Sequence, residues 1–292
     1  MKKTKFFGMA CGLCVVLAGC GGYVYTSIGG TVTGLGKDGT NSLTLQNERG
    51  FFKTMTADGT FAFDVASNAS YAITAAAQPK LVNCNIAGGT GKMTGEGVNN
   101  SVAVTCVPNV QLKGTLSGLP DAGNITLNTN TTDTVKNTLQ DYVETVSTNG
   151  AFQLTGKYVA HGKPYVVSVS LPPAGRFCSV TNGSGTADNA KPDAAANLGV
   201  SCVPAVPVGF TVNGLNAGSS LTLSNTFGSK VDQRLVSAIG IYFFNWSLLD
   251  GTAYSVKVDT QPAGQTCTVQ NPSGTVSMSN PAASTKIIVN CV

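Results

Sequence analysis

The sequence predicts an all-β protein made of three tandem, disulfide-stapled sandwich modules, and two observations support this. One segment occurs three times with constant spacing: an alternating strand that starts with tyrosine, a proline, a cysteine five residues later, a glycine seven residues after that, and a closing strand ending in cysteine. The composition is 42% hydrophobic and only 11% charged, with 35 glycines. Apolar and polar residues that alternate between turn residues are typical of half-buried strands.

The three copies of this segment set the predicted domain organisation. They run from Tyr71 to Cys106, from Tyr165 to Cys202 and from Tyr254 to Cys291. We therefore predict a first module at 28–108, a second at 109–204 and a third at 205–292. The joints between the modules are short and rich in proline, which restricts the backbone at such joints.

Residues 1–19 are predicted to be a signal peptide. Three lysines precede an apolar run from Phe6 to Val16, which is shorter than the roughly 20 residues needed to span a bilayer. The run ends in Leu17-Ala18-Gly19-Cys20, which resembles the lipobox of bacterial lipoproteins. The resemblance implies that the chain is cut before Cys20, that Cys20 carries lipid, and that residues 20–27 form a tether. An ordinary secretory signal with an incidental cysteine is the alternative.

The residues after the lipobox cysteine bear on sorting. In Gram-negative members of the lipoprotein family, an aspartate at this place favours retention in the inner membrane. Gly21 and Gly22 stand there in this chain, so the resemblance implies the outer membrane. The membrane, reached through the lipid anchor, is therefore the first expected partner. The periplasmic and the external face both remain open.

The nine cysteines fall into three groups. Cys11 and Cys14 leave with the signal peptide, Cys20 takes lipid, and six remain as one pair per module. An even, regularly spaced set in an exported protein indicates disulfides, and the repeat selects one pairing out of fifteen. The predicted pairs are Cys84–Cys106, Cys178–Cys202 and Cys267–Cys291. Metal binding is the weaker interpretation, because no Cys-x-x-Cys knuckle or nearby histidine accompanies them.

Each module repeats the same order of strands before its cysteines. The opening strands, which end in Gly-Leu, lie at 30–35, 114–119 and 211–215. The second strands lie at 43–45, 125–127 and 221–223. The mid-module strands lie at 59–63, 150–154 and 242–244. With the repeated segment, each module offers about seven short strands, which is the number typical of a β-sandwich.

The run from Gly150 to Val169 carries a second resemblance. It reads Gly-x-Phe-x-Leu, a short loop and then Gly-x-x-Tyr-x-Val-x-Val. This pattern resembles the prealbumin-like and carboxypeptidase-regulatory-like sandwiches of bacterial surface proteins, over about a quarter of each module. The resemblance implies an immunoglobulin-like or prealbumin-like sandwich for every module.

Two regions are candidates for a binding surface. Thr129–Thr148 and Thr226–Ile241 are longer than the matching segment of the first module, Gln46–Asp58, and are predicted to be module-specific insertions. The apolar run from Leu235 to Leu249 includes Tyr242, Phe244 and Trp246. These aromatic side chains are interpreted either as core strands of the third module or as an exposed ligand surface.

The remaining polar residues do not form a recognisable catalytic or metal site. His161 is the only histidine. Asp133, Asp141 and Glu144 lack the Asp-x-Asp-x-Asp-Gly pattern of a calcium loop. No basic stripe favours nucleic acid, since the whole chain carries a net charge of only +4. We therefore expect no catalytic residue, no cofactor, no metal and no nucleic-acid partner.

Together these features predict a function of the structural class. The chain is expected to be a non-enzymatic lipoprotein of the cell envelope that acts as a structural or interaction rod in adhesion or scaffolding. Its partner would be a protein or a glycan. The alternative is a carbohydrate- or ligand-binding surface lipoprotein that uses the aromatic residues of the third module.

Overall fold

The computed structural model describes residues 25–95, 97–133, 135, 138–156, 158–191 and 197–292. Residues 1–24, and with them the predicted signal peptide and Cys20, lie outside this part. The described chain forms three β-sandwiches in succession, so the all-β prediction is confirmed. A short 3-10 turn at Pro281–Thr285 lies in the third sandwich. In the described part, no helix is long and apolar enough to cross a membrane.

The first sandwich contains nine strands. They are β1 (Tyr25–Thr33), β2 (Leu43–Gln46), β3 (Phe52–Met55), β4 (Gly59–Ala66), β5 (Ser70–Ala72), β6 (Thr74–Ala77), β7 (Val82–Ala87), β8 (Thr90–Lys92) and β9 (Val98–Pro108). One sheet has the order β4-β1-β9-β7. Strands β3-β2-β6 form the second sheet, and β5 pairs with β8.

The second sandwich contains eight strands. They are β10 (Lys113–Ser117), β11 (Ile125–Thr132), β12 (Leu139–Val146), β13 (Gly150–Gln153), β14 (Pro164–Leu171), β15 (Arg176–Thr181), β16 (Ser184–Thr186) and β17 (Leu198–Pro204). Its sheets have the orders β13-β10-β17-β15 and β12-β11-β14-β16.

The third sandwich repeats this arrangement. Its strands are β18 (Val206–Asn213), β19 (Leu221–Phe227), β20 (Lys230–Val236), β21 (Gly240–Leu248), β22 (Ala253–Thr260), β23 (Cys267–Gln270), β24 (Ser273–Thr275) and β25 (Ile287–Cys291). Its sheets have the orders β21-β18-β25-β23 and β20-β19-β22-β24. The expectation of about seven strands per module is therefore too low by one or two.

In the second and third sandwiches, the additional strand lies in the segment predicted to be an insertion. Thr129–Thr148 contains the end of β11 and all of β12, and Thr226–Ile241 contains all of β20. The first sandwich has the same hairpin in a shorter form, β2–β3. The insertion prediction is therefore corrected: both segments are lengthened hairpins of a sheet, because their alternating residues continue the pairing instead of leaving it.

The predicted tether is too long at its C-terminal end. Residues 20–27 were expected to be a tether, but Tyr25–Ser27 already belong to β1 and pair with β4. Thr26 is buried, and its hydroxyl donates to the carbonyl of Val65 at 2.9 Å. The first sandwich therefore begins at least three residues earlier than expected.

In every sandwich the first strand runs parallel to the last. β1 pairs with β9, β10 with β17 and β18 with β25. Gly34, Gly118 and Gly214 end these first strands with φ of 78°, 77° and 72°. A Cβ at each would collide with the carbonyl oxygen of the cysteine that closes the neighbouring strand. The repeated Gly-Leu motif is explained by this close approach, which only glycine permits.

The three disulfides join the predicted pairs. In each pair the cysteines lie opposite one another on neighbouring antiparallel strands of one sheet, as Cys178 on β15 does with Cys202 on β17. The repeated tyrosine and glycine also face each other: Tyr165 lies opposite Gly185, and a Cβ at Gly185 would touch the tyrosine ring. The Cys-to-Gly spacing is constant because the ring must pack over a residue with no side chain.

Each sandwich encloses its own hydrophobic core. The largest fully buried side chains include Ile28 and Leu45 in the first sandwich, Ile125 and Leu154 in the second, and Phe210 and Leu223 in the third. The three cores are separate clusters. Contacts between sandwiches are therefore made outside these cores, by backbone groups and side chains at the junctions.

Candidate functional site

Strand β21 contains an enlarged β-bulge, with three residues against one, that shapes the junction with the second sandwich. Gly209 of β18 lies opposite Phe243, but Pro207, two residues earlier, lies opposite Ser247. Phe244, Asn245 and Trp246 therefore face the single residue between Pro207 and Gly209. A bulge interrupts the ladder of backbone hydrogen bonds and redirects side chains.

Asp232 on β20 supplies the hydrogen-bond partner that the bulge lacks. Its carboxylate accepts the backbone N–H of Trp246 at 2.7 Å and the side-chain amide of Asn245 at 3.1 Å. Only 5% of Asp232 is exposed. Because β20 belongs to the opposite sheet, these bonds also tie the two sheets together at this edge. A buried N–H without such a partner would cost roughly 1–3 kcal/mol.

The redirected Trp246 reaches the second sandwich. Its ring centroid lies 6.1 Å from that of Phe177 on β15 and 6.4 Å from that of Phe227 on β19. Lys230 Nζ lies 3.8 Å from the Trp246 centroid and 5.9 Å from the Phe177 centroid. We call Phe177, Lys230 and Trp246 the aromatic joint. A cation over an indole ring contributes about 1 kcal/mol.

A hydrogen bond between the sandwiches lies beside the aromatic joint. The backbone N–H of Gly175 donates to the hydroxyl of Ser247 at 3.1 Å. Ser247 directly follows the bulge, and Gly175 lies just before Phe177. The same short segments therefore provide both the aromatic and the polar contact between the two sandwiches.

Burial changes the acidity of two groups at this site. It raises the pKa of the Asp232 carboxyl above its ordinary value, against the opposing effect of the bonds from Trp246 and Asn245 and of the charge on Arg234. Burial also lowers the pKa of Lys230. Both groups are thus partly withdrawn from water by the packing that forms the junction.

The aromatic residues predicted as a possible ligand surface do not share one exposed face. Phe244 is buried, with its ring 5.0 Å from that of Phe210. Tyr242 stacks on Phe210 at 5.8 Å and donates its hydroxyl to the carbonyl of Ala238 at 2.9 Å. Trp246 belongs to the aromatic joint. For Phe244 the interpretation as a core residue is therefore confirmed, and the alternative of an open aromatic surface is wrong.

Ile241 and Phe243, which alternate with Tyr242 and Phe244 along this strand, are its exposed apolar residues. Ile241 is 72% exposed and Phe243 is 46% exposed. The repeat could have predicted which residues face the core, because Tyr242 and Phe244 occupy the places that the core residues Phe61 and Phe63 have in the first sandwich. Alternation along the strand would then have placed Ile241 and Phe243 outside.

A groove of about 450 Å³ lies beside the aromatic joint, between the second and third sandwiches. Its apolar lining includes Leu171, Pro173, Pro207 and Phe243, and its polar lining includes the side chains of Asn124 and Asn245. Among the described residues that line it, none is charged. We call this the junction groove.

The junction between the first and second sandwiches is built differently. The backbone N–H of Asn109 donates to the carbonyl of Leu81 at 2.8 Å, and its side-chain amide donates to the carbonyl of Lys80 at 2.9 Å. Lys80 Nζ lies 5.6 Å from the ring centroid of Tyr158. The ring contact at this junction is thus a lysine over a tyrosine, whereas a tryptophan makes it at the second junction.

The isolated acidic residues and the histidine serve local structure. Asp141 accepts the side-chain amides of Asn128 and Asn130 at 3.2 and 2.9 Å. Glu144 accepts the backbone N–H groups of Thr155 and Gly156. His161 Nδ1 accepts the backbone N–H of Asn189 at 3.2 Å. Within the described ranges, no three His, Cys, Asp or Glu residues are grouped so that they could hold a metal.

Comparison with known proteins gives a limited result. No protein-family model matches the chain, and no curated protein matches it at a significant level. The pilus adhesin SpaC from Lactobacillus rhamnosus GG, in its open conformation, is similar at 9% identity with a TM-score of 0.22, over 92% of this chain and 40% of that chain. This chain therefore spans well under half of that adhesin.

Two other solved structures are similar at the same level. A streptococcal ancillary pilin is 10% identical with a TM-score of 0.27, over 87% of this chain and 95% of that chain. A Mobiluncus mulieris adhesin with disulfide, isopeptide and ester cross-links is 10% identical with a TM-score of 0.19, over 61% and 98%. At these scores, the description of the fold rests on the sheets of this chain.

Proposed function

We propose that the chain is a non-catalytic, lipid-anchored protein of the cell envelope whose sandwiches form a stiff rod for adhesion or scaffolding. The observation that carries this proposal is the junction between the second and third sandwiches. A single residue, Ala205, separates β17 from β18, and its N–H donates to the carbonyl of Gly175 at 3.0 Å. A linker this short, with a tryptophan packed across it, favours one fixed angle between the two sandwiches.

A distance measurement in the full chain tests the stiffness. Spin labels on cysteines placed at Thr145 and Ser255, both exposed, would report the separation of the second and third sandwiches. We expect a single narrow distance distribution in the parent chain and a broad one after Trp246→Ala. A broad distribution in the parent chain would contradict the rod.

The lipid anchor rests on the resemblance of Leu17–Cys20 to a lipobox. Metabolic labelling with a palmitate analogue should mark the parent chain and spare Cys20→Ala. Label that survives the substitution would remove the anchor from the proposal. Protease added to whole cells then distinguishes the two faces, because only a chain on the external face is cleaved without breaking the outer membrane.

The junction groove favours a second candidate function, the binding of a neutral saccharide. A half-exposed ring, here Phe243, offers a face for the apolar side of a sugar, and the exposed amide of Asn124 matches its hydroxyl groups. A glycan-array screen of the full chain tests this candidate, with Asn124→Ala as the variant that should lose any signal. An array without a bound neutral glycan leaves the rod as the function.

A further inference from the structure

A second groove, of about 320 Å³, lies in the first sandwich, between the turn that joins β2 to β3 and the strand β4. Its lining consists of Asn47, Arg49 and Phe51 from the turn, and of Ala62, Phe63 and Asp64 from β4. We call this the hairpin groove. It lies within one sandwich and, in contrast to the junction groove, its lining includes a cation and a carboxylate.

A buried amide in the hairpin groove has an unpaired donor. Asn47 is only 4% exposed. Its Oδ1 accepts the backbone N–H of Arg49 at 3.1 Å and that of Phe51 at 2.9 Å, which identifies this atom as the oxygen of the amide. Its Nδ2 is buried, and no described residue accepts a hydrogen bond from it. Because buried polar groups nearly always have a partner, this donor indicates a place where a ligand supplies the acceptor.

The two charged side chains of the hairpin groove are not paired with each other. The guanidinium of Arg49 lies over the exposed ring of Phe51, with Cζ 5.5 Å from the ring centroid. Asp64 lies on β4, opposite Ser27 of β1. Among the described residues, no hydrogen bond or ion pair engages the Asp64 carboxylate, and none joins it to Arg49. The groove therefore offers cationic donors on the turn and an anionic acceptor on β4.

The equivalent groups of the other two sandwiches are engaged within the chain. Asn245 of the third sandwich has the place of Asp64, and its side-chain amide donates to Asp232 at 3.1 Å. Thr155 of the second sandwich has the same place, and its N–H and its hydroxyl donate to Glu144 at 2.8 and 3.4 Å. In the first sandwich the carboxylate stands at this place itself. The fold thus closes without a carboxylate there, which favours a binding role for Asp64.

The charges and donors of the hairpin groove define the ligand that fits it. A guanidinium and an amide N–H group on one short turn suit a carboxylate, which accepts from both. The carboxylate on β4 suits an ammonium group, and the exposed ring of Phe51 suits a short aliphatic chain. A molecule that carries these three groups on one carbon atom is an α-amino acid. The volume of the groove is near the lower end of the range of about 300–1,000 Å³ for ligand pockets, which matches a molecule of this size.

We propose that the hairpin groove binds the zwitterionic group of an α-amino acid. Arg49 and Nδ2 of Asn47 hold its carboxylate, Asp64 holds its ammonium group, and the ring of Phe51 packs against its side chain. The group occurs in free amino acids and also on peptides that contain a γ-linked glutamate, whose α-carbon keeps both charges. Binding at this groove is independent of the lipid anchor and of the stiffness of the rod.

Titration of the full chain carrying Cys20→Ala tests the proposal without interference from lipid. Leucine is the probe, and calorimetry together with the side-chain amide NMR signal of Asn47 measures its binding. We expect leucine to bind and to shift this signal. Leucinamide, which lacks the carboxylate, and isocaproate, which lacks the ammonium group, should each bind at least about tenfold more weakly, because each loses a charged hydrogen-bond partner. The dipeptide γ-glutamylalanine distinguishes the sources: tighter binding than leucine indicates a peptide, and weaker binding indicates a free amino acid.

Three variants assign the two charges and the amide to their roles. Arg49→Gln should remove the advantage of leucine over leucinamide, and Asp64→Asn should remove its advantage over isocaproate. Asn47→Asp retains the oxygen that accepts the two N–H groups of the turn and replaces only the donor, so it should weaken leucine by at least about tenfold. A merely structural role would weaken all three ligands alike.

The matched control is Lys53→Gln. Lys53 is an exposed cation of β3 that does not belong to the lining of the hairpin groove. Its substitution should leave the binding of leucine unchanged, and a circular-dichroism melt should show that all variants fold. A parent chain that binds neither leucine nor γ-glutamylalanine at millimolar concentration overturns the proposal. Binding that is equally tight for leucinamide, or that survives both Arg49→Gln and Asn47→Asp, overturns it as well.

Discussion

The two junctions of this chain share a backbone connection and differ in their side chains. At both, the residue after a proline donates its N–H to the loop before the module's first cysteine: Asn109 to Leu81 and Ala205 to Gly175. At the second junction, Trp246 also packs between Lys230 and Phe177. At the first, Lys80 Nζ lies 5.6 Å from the ring centroid of Tyr158. The backbone connection is thus a feature of the repeat, whereas the side-chain contacts that stiffen the second junction come from residues particular to it.

This difference indicates that the first junction is the more compliant one. The four residues between β9 and β10 do not form a longer linker, because Val110 pairs with Val159, and Val110 and Leu112 are buried in the second core. The contrast between the junctions lies in their side-chain contacts. The expected rod is therefore a stiff pair, formed by the second and third sandwiches, attached to the first through a softer joint. The following substitutions test this contrast, in order of decreasing effect.

Loss of a disulfide should give the largest difference between the effects at the two junctions. Cys178→Ser should destabilise the second sandwich by about 2–5 kcal/mol, because the unfolded chain regains the freedom of its closed loop. Since Phe177 precedes Cys178 on β15, the aromatic joint should loosen too. The fluorescence of Trp246, the only tryptophan, reports this directly as a shift to longer wavelength. Cys84→Ser should destabilise the first sandwich equally and leave the emission unchanged.

Removing the tryptophan should cost nearly as much. Trp246→Ala should destabilise the third sandwich by about 3 kcal/mol, since a large aromatic side chain leaves a cavity that the neighbours only partly fill. Tyr158→Ala at the first junction is the control and should cost about 1 kcal/mol. Denaturant unfolding followed by far-ultraviolet circular dichroism measures both. Equal losses at the two junctions would contradict the proposed difference.

Asp232→Ala should have an intermediate effect. The backbone N–H of Trp246 then has no acceptor inside the bulge, at a cost of about 1–3 kcal/mol. Asp141, on the equivalent hairpin of the second sandwich, is exposed and accepts the side-chain amides of Asn128 and Asn130. Asp141→Ala should therefore stay within about 0.5 kcal/mol of the parent chain. Chemical unfolding of both variants provides the comparison, and the idea fails when Asp141 proves the more costly of the two.

The lysines at the two junctions should differ by a smaller amount. Lys230→Gln removes a cation that lies 3.8 Å from the indole centroid and should cost about 1 kcal/mol. Lys80→Gln removes an exposed cation at 5.6 Å from Tyr158 and should cost less than about 0.5 kcal/mol. Thermal melts at low salt resolve the difference. A reversed order would mean that the cation–ring contact does not distinguish the junctions.

The smallest expected effect is a dependence of the unfolding free energy on pH. Burial raises the pKa of Asp232 in the folded state, so the folded chain binds the proton more tightly than the unfolded chain does. The resulting stabilisation is complete below the ordinary carboxyl pKa and is lost as pH rises through the folded value. Relative to Asp232→Asn, the parent chain should therefore gain stability as pH falls. Unfolding free energies of both chains between about pH 7 and about pH 3 measure this gain. Parallel curves would contradict it.

The sequence predicts those features that repeat. The disulfide pairs and the order of the strands each arise from contacts inside one sandwich, so every module preserves the same spacing. The contact of Tyr165 with Gly185 was not predicted, but it explains a spacing that the repeat keeps. The inward direction of Phe244 was also within reach, because the aligned residue Phe63 lies in the core of the first sandwich. The same alternation exposes Ile241 and Phe243.

The site at the second junction could not be predicted in this way. The bulge adds residues to one strand without any marker residue, and its acceptor Asp232 lies on the other sheet, 14 residues before Trp246. Phe177 and Trp246 meet only because a bulge in one sandwich faces a strand of another. A contact that occurs only once produces no repeated spacing in the sequence, and it depends on how two folded sandwiches pack against each other.

The parallel pairing of each first and last strand has a mechanical consequence. The chain enters a sandwich at the start of β10 and leaves it at the end of β17, so tension on the two ends pulls these neighbouring strands in opposite directions along their length. Their hydrogen bonds are then loaded in shear and must break together, whereas a hairpin pulled at its open end separates one bond at a time. The Cys178–Cys202 bridge further withholds the loop between its two cysteines from extension. A chain built in this way resists stretching through its topology.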